Sequence, residues 1–385
     1  LRAFTVLAEP GAQMDGPLGG IPVAVKDIVA TRDLPTANGS PIDAHHVPDA
    51  DAWVVARLRD LGASVLGKTV TTEFAWRHPG PTHNPWRLGH TPGGSSSGSA
   101  AAVAAGLAPL ALGSQTFGSV IRPAAFCGVV GLKPSYGATP RTGVHPLAGS
   151  LDHVGLFTRS VADATFALSL LAGARDADPH GFPLPPFRID PEQGVEPLDA
   201  PRLALVRIGP WGQAEPEALA CLEAAAECFR AAGACVEDLS LPTPFGRAAE
   251  AARSILACEA SDIYAPLVAS QPDKLSAPLR DLVQEGAGIP AVRYIAARKL
   301  QATLRAGFGA ALGAAPKGLA DTGDPSFCVP FTYLGVPCIT LPAGNVEGLP
   351  LGIQLVAPYR NDMRLLRIGR WCETALDHPR RFPSL

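Results

Sequence analysis

The sequence lacks any uninterrupted apolar run near the ~18 residues that a membrane-spanning helix needs. Its longest stretch without Asp, Glu, Lys or Arg, 88–121, is broken by Gly, Ser, Pro and Gln. A basic block is also missing: 32 Lys and Arg stand against 35 Asp and Glu, for a net charge of −3. That balance argues against nucleic acid or a membrane surface as a main partner. Residues Leu1–Leu7 have no signal-peptide layout. The chain opens at Leu1 rather than Met, which reads as a missing N-terminal portion. None of the eight cysteines forms C-x-x-C or finger spacing with the nine histidines. Several sit in apolar context, such as Cys127 after Phe126 and Cys338 after Pro337. They read as buried, reduced thiols of a cytoplasmic protein. There is no internal repeat and no G-X-Y period, which excludes solenoids and collagen.

What is present is a chain of 385 residues, 47% apolar and 17% charged. It is long and apolar enough for a sizeable core, and global disorder is excluded. Gly (40) and Pro (39) imply many tight turns. The run 20–30 (GIPVAVKDIVA) reads as a buried strand entering a turn. Residues 51–61 read as a helix behind an Asp51 cap, and 63–67 as a strand. Alternation of this kind predicts an α/β layered fold with a largely parallel sheet. Further along, an Ala-rich helix over 99–106 ends at Gly106, and a strand follows at 107–113. A capped helix spans 160–172. The stretch 173–200 is rich in Pro, Asp and Gly and reads as a surface excursion from one domain. Strand, helix and strand follow at 203–208, 217–232 and 234–241. Residues 248–308 are mostly helical. A β-hairpin joins 339–342 to 350–357, and a last helix covers 362–377.

Three places carry chemistry. The first is GGSSSGSAAAVAA at 93–105. A flexible Gly/Ser linker would not run straight into a helix and a strand. Gly94–Gly98 satisfies G-x-S-x-G, but a nucleophile elbow needs a buried strand before it, and residues 82–92 are polar and Pro-rich. The remaining reading is a loop of hydroxyls at a helix N-terminus, suited to binding an anion or an oxyanion. The second place is GSQTFGSVIRPAAFCG at 113–128. Here Ser119 follows a turn glycine beyond a strand, and the N–H groups of Thr116, Phe117 and Gly118 can converge just before it. Such a serine is either an ordinary turn residue or arranged for acyl transfer. The third is Lys26, alone in the apolar run 23–29. It is either paired with Asp27 or a buried amine able to act as a general base.

Together these stretches strongly resemble the amidase signature family. Further matches are TTEFAWRHPGPTHNPW, SLDHVGLFTRSVADA, PFTYLGVPCITLPAG and GLPLGIQLVAP. The resemblance is dense over 18–170 and good over 325–375. Between 175 and 320 only the order of elements matches. The short chain and the TTEFA…PGPT stretch look most like malonamidase-type amidases. The resemblance implies one α/β/α three-layer domain over residues 1–385, around a mixed twisted sheet. It implies a Ser–cisSer–Lys triad with Ser119 as nucleophile, Ser95 as the bridging serine on a cis peptide bond, and Lys26 as base. The oxyanion would rest on the N–H groups of Thr116, Phe117, Gly118 and Ser119. No cofactor and no metal are implied. Two departures stand out: Gln115-Thr116-Phe117 replaces the family's usual Asp-x-Gly, and the strand expected before the C-terminal motif is missing at 312–318.

Arg122, three residues after Ser119, is a candidate for binding a substrate carboxylate by a bidentate fork, or else a residue fixing the loop. Trp76, Arg77, His78 and His83 are candidates for the site entrance. Asp152 reads as a loop anchor. The expected activity is hydrolysis of a small-molecule carboxamide to acid and ammonia by a free-standing enzyme. That enzyme would use no nucleic acid or membrane, and is compatible with a homodimer. The alternative is the amidase subunit of an amidotransferase, supplying ammonia to an acceptor. A non-catalytic relative is disfavoured because Lys26, Ser95 and Ser119 are all retained.

Overall fold

A computed structural model describes residues 1–9, 15–173, 177–184, 199–207, 214–308, 324–379 and 381–383. The elements begin with β1 (Phe4–Leu7), β2 (Pro22–Lys26), α1 (Trp53–Asp60), β3 (Ser64–Thr69), α2 (Ser97–Ala104) and β4 (Leu110–Gln115). Next come α3 (Ile121–Cys127), β5 (Val130–Lys133), β6 (His153–Thr158) and α4 (Val161–Leu171). A middle stretch holds β7 (Arg202–Arg207), α5 (Pro216–Ala231), β8 (Cys235–Ser240), α6 (Ala248–Ser270), α7 (Ala277–Ala287) and α8 (Ala291–Ala306). The chain closes with α9 (Val329–Tyr333), β9 (Cys338–Val346), β10 (Leu349–Val356) and α10 (Asp362–Leu376).

Among the described residues, eight strands form one sheet in the order β1-β3-β2-β4-β6-β5-β9-β10. Only the β3–β2 and β2–β4 pairs are parallel; β1–β3, β4–β6, β6–β5, β5–β9 and β9–β10 are antiparallel. The sheet is therefore mixed and flanked by helices, as expected, but it is less parallel than the helix–strand alternation suggested. Alternation along the central strands feeds a core on each face. Val23 and Val25 of β2, with Leu110 and Leu112 of β4, join one apolar cluster. Ala24 and Ala111, between them, join the other, with Ala100–Ala104 of α2. Small side chains on that face let α2 lie close to the strands. At Gly98 an added Cβ would stand 2.2 Å from the Ala3 carbonyl oxygen and 2.5 Å from the Val70 nitrogen.

Several elements differ from the sequence reading. Asp51 does not cap α1, whose N-cap is Ala52 without a side-chain bond. Its carboxylate instead accepts from Arg32 N and pairs with Arg59. Ser160 does cap α4, accepting from Asp163 N at 3.0 Å. Strands β7 and β8 pair in parallel with each other, not with the main sheet. Of the cysteines, all free, Cys228 and Cys235 are exposed rather than buried. The run 312–318, and residues 174–176 and 185–198 of the 173–200 excursion, lie outside the described residues. No helix among the described residues is long and apolar enough to cross a membrane.

The helical stretch leans on the sheet's loop edge. Tyr264 of α6 donates to Pro146 O at 2.6 Å, and Trp76 Nε1 donates to Pro278 O of α7 at 3.0 Å. Glu73 accepts from Ser276 N just before α7.

Candidate active site

Lys26 is the last residue of β2, and its side chain is fully buried. Its neighbour Asp27 does not neutralise it. Asp27 pairs instead with Lys68 of β3, at 3.2 Å, so the simple structural pairing is taken by another lysine. Lys26 Nζ donates to Ser95 Oγ at 2.7 Å and to Ser114 Oγ at 2.8 Å. Burial lowers its basicity well below the ordinary lysine value; the Asp152 carboxylate partly offsets this and Arg122 adds to it. A buried amine biased toward the neutral state is a proton acceptor.

Ser95 follows a cis peptide bond from Gly94, and α2 begins two residues later. The other serines of the loop have structural partners. Ser96 Oγ donates to Ser114 O and accepts from Ser114 N. Ser97 donates to Val70 O and Ser99 to Leu112 O. The run of hydroxyls thus stitches the loop to β4 and to the end of β3, leaving Ser95 against Lys26.

Residues 116–119 form the bend between β4 and α3. Gln115, which replaces the family's usual Asp, explains how the bend is held. Its Oε1 accepts from Val120 N and Ile121 N at 2.8 and 2.9 Å, and its Nε2 donates to Thr332 at 2.8 Å. A carboxylate could make the first two bonds; the amide adds the third. Arg122 lies in the first turn of α3, and its Nη2 donates to Gly94 O at 2.5 Å. Phe117 is buried, with its ring edge-on to Trp76 at 6.1 Å.

Ser95, Ser119, Thr116, Phe117 and Arg122 line one cavity of about 20 Å³, walled by Ala75, Trp76, Arg77, Leu147 and Pro325. That is room for about one water. His78 and His83 are not among its lining residues. A second cavity, of about 260 Å³, shares Ala75, Thr116 and Leu147 with it and contains Ser114 and Asp152. A larger one, of about 490 Å³, lies by Trp86, Arg159 and the β9–β10 hairpin, and holds none of these serines or lysines.

Asp152 does anchor a loop: it accepts from Leu147 N and Ala148 N, and also from the Thr116 hydroxyl. Sequence reasoning missed Ser114 and the role of Gln115. Both lie inside the quoted GSQTFGS motif, so their signal was position beside the bend rather than residue type.

Comparison with known proteins fits this geometry. The family model described as Amidase matches residues 4–303. The glutamyl-tRNA(Gln) amidotransferase A-subunit of Thermus thermophilus is 37% identical over 93% of this chain and 85% of its own length. The A-subunit of the same enzyme from Rhodopirellula baltica is 35% identical, covering 96% of this chain and 86% of its own. The solved structure of native peptide amidase from Stenotrophomonas maltophilia superposes with a TM-score of 0.79. It is 31% identical and covers 96% of this chain and 85% of that one. These findings overturn the expected partners. The expectation was a stand-alone enzyme on a small-molecule amide, without nucleic acid, paired at most with its own copy. The amidotransferase relatives are instead named as one subunit of an enzyme of glutamyl-tRNA(Gln). With more than three-quarters of its length matched by the family model, the chain belongs to the amidase family and is a C–N hydrolase.

Proposed function

We propose that this chain is the amidase subunit of an amidotransferase, releasing ammonia from an amide donor for transfer to glutamyl-tRNA held by partner subunits. The observation that carries the chemistry is the 2.7 Å bond from buried Lys26 to Ser95, a serine that lines the same cavity as Ser119. The names of the relatives carry the choice of acceptor. In this reading Ser119 Oγ attacks the amide carbonyl while its proton passes through Ser95 to neutral Lys26. The tetrahedral oxyanion is held by the N–H groups of Thr116, Phe117, Gly118 and Ser119. The proton returns through Ser95 to the nitrogen, the C–N bond breaks and ammonia leaves. Water, deprotonated by the same relay, then cleaves the Ser119 ester to free acid. The Arg122 bond to Gly94 O supports a role in holding the Ser95 loop more than one in gripping a substrate carboxylate. A reducing compartment such as the cytoplasm suits the eight free thiols.

The test measures ammonia release from a panel of amides, and amidation of glutamyl-tRNA, with and without amidotransferase partner subunits. Ser119→Ala is expected to lower both by roughly 10³-fold or more without changing the fold. Wild-type rates in that variant would remove Ser119 as nucleophile. Fast release from peptide amides, with no amidation of tRNA under any combination, would move the assignment to the peptide amidases that this fold resembles.

A further inference from the structure

We propose that Asp152 is a positioning residue for the reaction, clamping the bend before Ser119 to the Leu147–Ala148 segment beside the same cavity. The proposal rests on the reading of Ser119 given above. Asp152 immediately precedes β6, away from both serine loops in sequence. One carboxylate oxygen accepts from Thr116 Oγ1 at 2.6 Å. The other accepts from Leu147 N at 2.9 Å and Ala148 N at 3.0 Å. Thr116 and Leu147 both line the Ser119 cavity, whereas Asp152 lies behind them, in the second cavity. A single side chain therefore ties together two cavity-lining residues that are about thirty residues apart in the chain. Thr116 also contributes the first N–H of the proposed oxyanion bend. An error of a few tenths of an ångström there is transmitted to the donors that must meet the developing charge.

The same carboxylate acts on the base. Of the groups around Lys26, Asp152 favours its protonated form and Arg122 opposes it. Asp152 itself faces Lys26, Arg141 and the Tyr264 hydroxyl. Burial pushes its pKa up to about 6, offset first by the Thr116 hydroxyl and then by the Leu147 and Ala148 N–H groups. The two effects separate by mutation. Asparagine keeps the volume and an acceptor for Leu147 N and Ala148 N, and its Nδ2 can donate to a rotated Thr116 hydroxyl. It removes only the charge.

The experiment compares Asp152→Asn, Asp152→Ala and Thr116→Val by pH profiles of ammonia release, with Ser119→Ala alongside. Asp152→Asn is expected to keep kcat at its plateau within several-fold. Its acid limb should move to lower pH, because Lys26 loses the charge that favours its proton. Thr116→Val should lower kcat by about 10-fold, with a smaller shift of the limb than in Asp152→Asn because the carboxylate remains. The loss in kcat is less than the 10²–10³-fold of deleting an oxyanion donor, because the backbone N–H remains. Asp152→Ala should show both effects. If Asp152→Ala does not fold, the other two variants carry the test. Unchanged kcat in Thr116→Val together with an unmoved limb in Asp152→Asn overturns the proposal. Retained activity in Ser119→Ala overturns the underlying reading instead, independently of Asp152.

Discussion

Residues 18–158 and residues 202–306 obey different constraints. The first region buries charge and hydroxyls: Lys26, Lys68 and Lys133 are all fully buried, with Asp27, Ser95, Ser96, Ser99 and Gln115 among them. Each has a partner of fixed identity and geometry, because an unpaired polar group inside costs far more than a paired one gains. The second region buries mainly hydrocarbon. Its buried polar side chains among the described residues are Ser254, Ser261 and Gln301. There α6, α7 and α8 need only apolar stripes that face one another. Chemistry therefore dictates residue identity in one region, and packing dictates only periodicity in the other.

The largest expected effect tests the first half of that contrast. Lys26→Ala should lower ammonia release by roughly 10³-fold or more while unfolding stays cooperative. In the wild type, activity should rise with pH as Lys26 loses its proton, along a limb below the ordinary lysine range. The sign for stability follows from the same shift. The folded chain holds Lys26 less protonated than the unfolded chain does. Stability should therefore rise with pH between the depressed folded value and the ordinary one. Lys26→Ala should flatten that slope, as measured by thermal melts at several pH values. An unchanged slope would mean that Lys26 stays charged inside.

The contrast also explains what was legible beforehand. The hydroxyl-rich loop, the turn before Ser119 and the lone lysine are rare patterns, so they could be read individually and their resemblance is specific. The helices at 248–306 were legible as periodicity alone. The separate pairing of β7 with β8 was not, since the strand pattern does not state which edge it meets. The Asp51 cap is absent because its carboxylate finds Arg59, a tertiary partner that local reading cannot weigh. Asp27 meets a different lysine from its neighbour for the same reason: Lys68 is distant in sequence but adjacent across the β2–β3 pair.

A middle-sized effect belongs to the helical region. Leu282 of α7 is fully buried in the main apolar cluster. Leu282→Ala should cost about 2–5 kcal/mol through lost transfer energy and the cavity left behind. Because Leu282 does not line the Ser119 cavity, kcat per folded molecule should stay at the wild-type value. Denaturant melts and an active-site titration would separate the two. A fall in kcat would show that α7 transmits its position to Trp76 through the Pro278 carbonyl, weakening the division between the regions.

The smallest effect is expected at Arg293 and Glu250, which pair at 3.0 Å between α8 and α6. Their side chains are 53% and 69% exposed, so water screens the charges and both chains lose freedom on pairing. The buried Lys68–Asp27 pair, at a similar 3.2 Å, has no such competition from solvent. Glu250→Gln should therefore change stability by less than about 0.5 kcal/mol, and by nothing measurable at 1 M salt, where the Debye length is about 3 Å. Urea melts at low and high salt give both values. A loss above about 1 kcal/mol that persists in salt would mean that the helical region, too, depends on particular polar partners. Its residue identities would then be constrained as tightly as those around Lys26.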